Sequence, residues 1–168
     1  MVHDRRLKAE DLAAFKTLIL PNLIALSDTQ CEQLRAFARA GGSIIATSET
    51  SRADEWGGAR TDFGLADLFG VSFVATRPGP VRNSYLRLEH ATATAHPLLR
   101  GLEDAPRIIH GVWQLDVRPN TAFPNPPVTL IPAYPDLPME KVFMRTPRTD
   151  IPQVFLREAG RGRVVYFP

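Results

Sequence analysis

Residues 47–60, TSETSRADEWGGAR, bring together carboxylates at Glu49, Asp54 and Glu55, guanidinium groups at Arg52 and Arg60, and an indole at Trp56. These groups suit an oxygen-rich ligand. A planar guanidinium meets a carboxylate or phosphate with two parallel hydrogen bonds, and an aromatic face stacks on a sugar ring or another flat apolar surface. The same acids and arginines can instead pair with one another and hold an irregular loop, with Gly57 and Gly58 permitting its turn. Glu49 and Glu55 also form a candidate pair for glycoside hydrolysis, which requires two carboxyls about 5–9.5 Å apart across a groove. Nothing in the sequence sets either acid on a rigid element, so a structural loop, a ligand site and a hydrolase remain as readings, in that order.

Other reactive residues carry less. Cys31 falls one turn into a predicted helix, on its apolar side and with no histidine near it in sequence. An activated thiolate needs an elbow or helix start and an adjacent base, so Cys31 reads as a buried structural residue. A single cysteine also excludes an intrachain disulfide framework and a cysteine-rich zinc site, and the default compartment is the cytoplasm. The histidines are His3, His90, His96 and His110. None is paired at the spacing of helical metal ligands, His96 before Pro97 reads as a capping or turn residue, and His110 follows the apolar run RII. The patterns GxSxG, GxGxxG and GxxxxGK[ST] are absent, so no catalytic residue, metal or cofactor is expected.

The chain of 168 residues has 44% apolar residues and a net charge of +2 from 20 basic and 18 acidic side chains. That length suits one domain with a substantial core. No Lys/Arg block gives the footprint of a nucleic-acid binder, and no segment approaches the roughly 18 apolar residues of a membrane helix.

The elements that must position the 47–60 loop are clear on either side of it. FKTLILP contains an apolar strand at Thr17–Leu20, expected to be buried in a parallel sheet and ended by Pro21. LSDTQCEQLRAFARAGG reads as a helix with Ser27 as N-cap, Gln30 in capping-box register, an apolar face of Cys31, Leu34, Phe37 and Ala38, and a stop at Gly41-Gly42. SIIAT, Ser43–Thr47, is the next strand, and strand–helix–strand over this length is a right-handed βαβ unit of α/β type. Ligands of open α/β sheets bind beyond the carboxyl ends of the strands, which is where the loop begins.

A short helix is expected at Asp62–Phe69 with Leu65, Leu68 and Phe69 inward, then a strand at VSFVA. Fifteen prolines are nearly twice the usual share of about 5%, and most fall after residue 77. Strands are expected at SYLRLE, RIIHG, WQLDV, PVTLIP, KVFMR, PQVFLREA and GRVVYF. The last two should form an antiparallel hairpin bringing Val154, Leu156, Val164 and Tyr166 toward a core, with Arg157 and Glu158 toward the turn. The expected organisation is a single domain, 1–168, with a polar leader at 1–12, a βαβ core at 13–75, and short strands with Pro-rich turns at 76–168. No strand is found before Thr17 and no helix after VVYFP, so the sheet is expected to be incomplete, with an exposed edge or face that favours self-association.

Three ordered stretches, FKTLILPN at Phe15–Asn22, LSDTQCEQLRAFARAGGSIIATSETS at Leu26–Ser51 and DEWGGARTDFGLADLFGV at Asp54–Val71, resemble the beta-galactosidase trimerisation domain, of class I glutamine-amidotransferase-like fold. HPLLRGL at His96–Leu102, YPDLPMEKVF at 134–143 and GRGRVVYFP at Gly160–Pro168 extend the resemblance over nearly the whole chain. It implies a flavodoxin-like, mostly parallel sheet with helices on both faces, here incomplete at the N-terminus. It also implies a non-catalytic accessory or oligomerisation role in a predicted multi-domain glycoside hydrolase. The implied partners are further copies, as a dimer or trimer, a catalytic barrel, and a carbohydrate. True class I amidotransferases carry a cysteine on the elbow after the strand that is SIIAT here. Ser48, Glu49 or Thr50 stands at that place, and the late HxE pair is missing, so the resemblance implies a relative without amidotransferase activity. The alternative function is a small-ligand domain for a sugar or anionic metabolite using Glu49, Arg52, Asp54, Glu55, Trp56 and Arg60, and autonomous hydrolysis ranks below it.

Overall fold

The computed structural model describes residues 6–77, 79–90, 96–134, 138 and 141–168. His3, the first residues of the polar leader, and most of the 134–140 part of YPDLPMEKVF lie outside them. The fold is mixed α/β and divides into two compact units, one of residues 1–75, 115–121 and 155–168, the other of 76–114 and 122–154.

The first unit opens with the short helix α1 (Ala9–Leu12). Leu7 and Leu12 are buried, so this polar stretch is anchored by two apolar side chains. Strand β1 (Thr17–Leu20), helix α2 (Asp28–Ala40) and strand β2 (Ser43–Thr47) then form the expected βαβ unit. The capping box at the start of α2 is complete: Ser27 Oγ accepts from the Gln30 N–H at 3.1 Å and Gln30 Oε1 accepts from the Ser27 N–H at 2.8 Å. Gly41, at φ 117°, ends the helix in a conformation that a side chain would strain.

Helix α3 (Ala66–Phe69), strand β3 (Val71–Thr76), strand β6 (Leu115–Pro119), strand β8 (Phe155–Ala159) and strand β9 (Gly162–Phe167) complete this unit, β3 pairing with β6. The four-stranded sheet has the order β1-β2-β9-β8, with β1, β2 and β9 parallel and β8 antiparallel to β9. One sheet face is the core: Leu18, Leu20, Ile44, Ala46, Val164 and Tyr166 are buried on it. Leu34 and Ala38 of α2 and Phe69 of α3 are buried with them, Phe69 stacking on Tyr166 at 4.4 Å between ring centroids.

Three expectations for this unit need correction. β1 is not buried on both faces: its pattern alternates, and Ile19 is 66% exposed, because no described element covers that face at the sheet edge. The helix expected at 62–69 shrinks to Ala66–Phe69, since Asp62 Oδ1 accepts the N–H groups of Phe63 (2.7 Å) and Phe73 (2.8 Å) and so tethers the chain in a non-helical turn. In the terminal hairpin Phe155, not Leu156, faces the core, because it stands opposite the buried Tyr166, while Leu156 stands opposite Val165 on the other face.

The second unit contains strands β4 (Tyr85–Leu88), β5 (Arg107–Ile109) and β7 (Val128–Ile131) in an antiparallel sheet of order β5-β4-β7, and a 3-10 turn at Pro97–Leu99. Its core includes Leu88, Leu99, Val128, Leu130, Ile131 and Val154. KVFMR forms no strand, lying in irregular chain from Lys141 onward.

Candidate functional site

The carboxyl ends of β1 and β2 are held together by polar groups of their own loops. Asn22, at φ 50°, donates its N–H to Thr47 Oγ1 at 2.9 Å and accepts the Glu49 N–H on Oδ1 at 3.0 Å. Thr50 is fully buried: its Oγ1 accepts the Leu23 N–H at 3.1 Å and donates toward the carbonyls of Thr47 (2.8 Å) and Leu20 (3.2 Å). Ser51, also buried, accepts the Leu65 N–H on Oγ at 3.1 Å. These hydroxyls satisfy backbone groups that the sheet and helices leave open.

Ser48 directly follows β2, with φ 51°. Its N–H donates to the Phe167 carbonyl at 2.7 Å and its carbonyl accepts from the Tyr166 hydroxyl at 2.7 Å. Burial pushes the Tyr166 phenol far above its ordinary range. It acts as a hydrogen-bond donor rather than a proton acceptor.

The six candidate residues fall into two groups, with Glu49 apart from both. Arg52 lies over the Phe73 ring, 3.7 Å from its centroid, and its Nη1 donates to the Arg60 carbonyl. Arg60 in turn donates from Nη2 to the Leu26 carbonyl at 3.0 Å and pairs with Asp28 at 2.7 Å. Both guanidiniums thus latch the loop to α2 and β3. Asp54, Glu55 and Trp56 share one turn: Asp54 Oδ1 accepts the N–H groups of Trp56 (2.9 Å) and Gly58 (2.7 Å), and Trp56 projects outward, 89% exposed. Glu49 is half-buried at the start of the loop, its carbonyl accepting the Arg52 N–H at 3.0 Å.

Reasoning from sequence missed Asn22, Thr50, Ser51 and Tyr166 as the residues that shape this end of the sheet. The hydroxyl-rich run TSETS was the available signal. The larger concavity is elsewhere in this unit, a groove of about 1010 Å³ beside Phe15, Phe37 and Leu12, at the amino ends of β1 and β2. A second cavity, of about 330 Å³, lies in the other unit beside Glu89 and Arg148, where the buried Glu89 accepts from Thr129 Oγ1 at 2.8 Å and from Arg148 Nη2 at 3.1 Å.

Burial raises the Cys31 thiol, against the lowering effect of Arg60 and Arg35, which keeps it neutral. His96 Nδ1 caps the 3-10 turn by accepting the Leu98 N–H at 3.1 Å. Burial lowers the His110 imidazole, whose Nδ1 lies 3.1 Å from Ser84 Oγ. Ser84 Oγ also lies 3.0 Å from the Ile131 carbonyl, to which it donates. Among the described residues no group of three or more His, Cys, Asp or Glu is placed to hold a metal ion, and no helix is long and apolar enough to cross a membrane.

The family described as the beta-galactosidase trimerisation domain matches residues 3–92. No curated protein matches the chain. Among solved structures, the beta-galactosidase of Bacillus circulans sp. alkalophilus is 14% identical with a TM-score of 0.69, covering 95% of this chain and 21% of its own. The beta-galactosidase of Halorubrum lacusprofundi is 18% identical with a TM-score of 0.67, covering 95% and 20%. A cytoplasmic protein of Salmonella typhimurium LT2 is 10% identical with a TM-score of 0.60, covering 95% and 62%. At these identities the likeness shows a shared fold, and the chain spans about a fifth of the beta-galactosidases it matches.

Proposed function

Since the chain belongs to the beta-galactosidase trimerisation domain family, we propose that it is a non-catalytic accessory module that works by associating with further copies of itself and with the catalytic barrel of a glycoside hydrolase. The observation that carries this reading is the use made of the candidate loop's charges. Arg52 and Arg60 fasten the loop to its own domain and Asp54 braces the turn within it, which suits a wall or contact surface better than a reaction centre. The β1-β2-β9-β8 sheet with its βαβ unit is, in this reading, the flavodoxin-like half of an amidotransferase-like domain, and residues 1–168 act as one functional domain. The cytoplasm is the proposed compartment, supported by the lone buried Cys31.

A second reading is favoured by one observation, the exposure of Trp56 beyond the carboxyl ends of the strands. We infer that Trp56, beside Glu55 in its turn, contacts a neighbouring subunit or a sugar held by one. The experiment that tests the main reading is sedimentation of the chain over a wide concentration range, alone and mixed with a glycoside-hydrolase barrel lacking this module. Self-association or complex formation supports it. A chain that stays monomeric and ignores the barrel, or that releases ammonia from glutamine in a Ser48-dependent way, overturns it.

A further inference from the structure

We propose that the second unit carries a binding site for a neutral polyol of monosaccharide size, in the cavity of about 330 Å³ that has the Glu89 carboxylate in its wall. The 47–60 loop has no part in this site, and the proposal holds whether or not the chain associates.

The walls come from three stretches fixed by backbone bonds. Glu89 follows the end of β4 and donates its N–H to the Pro127 carbonyl at 2.9 Å, beside Thr129 of β7. Along the open edge of β7 the chain runs antiparallel: Thr149 Oγ1 donates to the Leu130 carbonyl, the Leu130 N–H to the Ile151 carbonyl at 2.9 Å, and the Gln153 N–H to the Val128 carbonyl at 3.0 Å. That edge holds Arg148 and Asp150 at the cavity. The turn before β7 supplies Phe123 and Asn125, with Asn125 at φ 54° between Pro124 and Pro126. Proline fixes φ on both sides of that asparagine, so the turn is stiff before any ligand arrives.

The groups on these walls are chemically paired. Glu89 is only 5% exposed, and a buried carboxylate is tolerated when it is paired and hydrogen-bonded. Thr129 Oγ1 donates to it at 2.8 Å, Arg148 Nη2 at 3.1 Å, and Arg87 Nε lies 3.3 Å away. The carboxylate thereby pins Arg148 by one nitrogen. Among the described residues, the rest of the Arg148 guanidinium, the Asn125 amide and the Asp150 carboxylate have no hydrogen-bond partner in the protein. The cavity thus offers donors at Arg148, an acceptor at Asp150, both at Asn125, and the ring of Phe123 beside them.

A polyol fits this set because each hydroxyl both donates and accepts. Neighbouring hydroxyls of one ring can meet acid, amide and guanidinium together, while the C–H face of the ring lies on an aromatic or proline surface. Charge selects against the alternatives. An anion faces Glu89 and Asp150, a cation faces Arg148, and the two acids are balanced by Arg148 and Arg87 when the ligand is neutral. The volume lies at the small end of ligand pockets, which span about 300–1,000 Å³, so the site takes a single ring.

The test titrates the full chain with D-galactose and D-glucose, and with acetate and phosphate as anions, while backbone amide shifts are followed by NMR. We expect at least one sugar to bind in the millimolar range, as suits a ligand of so few atoms, with shifts concentrated at Phe123, Asn125, Thr129, Arg148 and Asp150. Asp150→Ala alters an exposed side chain, and Asn125→Gly keeps the left-handed turn. Each should raise the dissociation constant about tenfold and leave the urea midpoint unchanged. The absence of any shift with either sugar overturns the proposal. So does sugar binding that is indifferent to both variants or that maps to the 47–60 loop, and so does tighter binding of acetate or phosphate at these same amides.

Discussion

The guanidinium of Arg52 lies over the ring of Phe73, 3.7 Å from its centroid, while the same side chain donates to the carbonyl of Arg60. One residue thereby ties the loop after β2 both to β3 and to itself. A close contact over the ring together with a directed donor suits the planar guanidinium. We predict that Arg52→Ala costs about 1–3 kcal/mol in urea unfolding and that Arg52→Lys recovers less than half of it, because an ammonium keeps the charge without the plane. A lysine variant as stable as the parent would show that charge alone holds the loop.

Arg52 also shows why the site was only partly legible in advance. Its type and its place beyond a strand could be read from the sequence, but its partner Phe73 lies in another strand, and Arg60 pairs with Asp28 at the start of α2. Side-chain destinations across elements follow from packing, which a linear pattern does not encode. Local signals fared better: the Ser27–Gln30 capping box and the Gly41 stop are satisfied within a few residues of backbone, so α2 was readable almost to its ends. β1 was misjudged because TLIL is apolar at three of its four positions, which conceals that only Leu18 and Leu20 are buried. The helix expected from Asp62 was shortened by a bond from Asp62 to the Phe73 N–H, a partner that no helical period announces.

Acid should act on the two units through different groups. In the first, burial works against ionisation of Asp67, yet its hydrogen bonds with Arg35, as short as 2.7 Å, hold the carboxyl below its ordinary range. A carboxyl with a depressed folded value contributes stability that is present above the unfolded value, about 3.9, and is lost as pH falls through the folded one. In the second, burial lowers His110, so the folded protein resists its protonation. Stability there is full above the unfolded value of about 6.5 and declines as pH falls below it. Unfolding free energy measured from pH 7.5 to 3 should therefore fall in two stages. Asp67→Asn should flatten the acid stage, and His110→Gln should flatten the one starting near neutrality. A profile that keeps both stages in both variants would assign the titrations to other groups.

The turn between β8 and β9 brings the backbone of Gly162 against the end of α2, where an added Cβ would collide with the Gly42 and Ala38 carbonyls. Gly57 differs: its φ is 85°, but a Cβ there meets nothing within 4 Å. Gly57→Ala should cost only the left-handed strain of about 1 kcal/mol. Gly162→Ala must push the hairpin off the helix and should cost about 3 kcal/mol or more, in the range of severe overpacking. Thermal melts of the two variants, side by side, check the ordering, and equal losses would refute the close approach of hairpin and helix.

Trp56 separates folding from association. Its side chain is 89% exposed, and its N–H to Asp54 is a backbone bond that any residue can make. Trp56→Ala should leave unfolding free energy within about 0.5 kcal/mol of the parent, as expected for a surface position outside any network. A buried tryptophan at an interface contributes about 2 kcal/mol or more. If Trp56 contacts a neighbouring subunit or a barrel, the same substitution should weaken that assembly by roughly 30-fold. Calorimetry of the chain with its partner reads the second quantity and denaturant melts read the first. An assembly as tight in Trp56→Ala as in the parent, with stability unchanged, would remove the loop from the contact surface and leave Arg52, Arg60 and Asp54 with the purely internal duty of holding it in place.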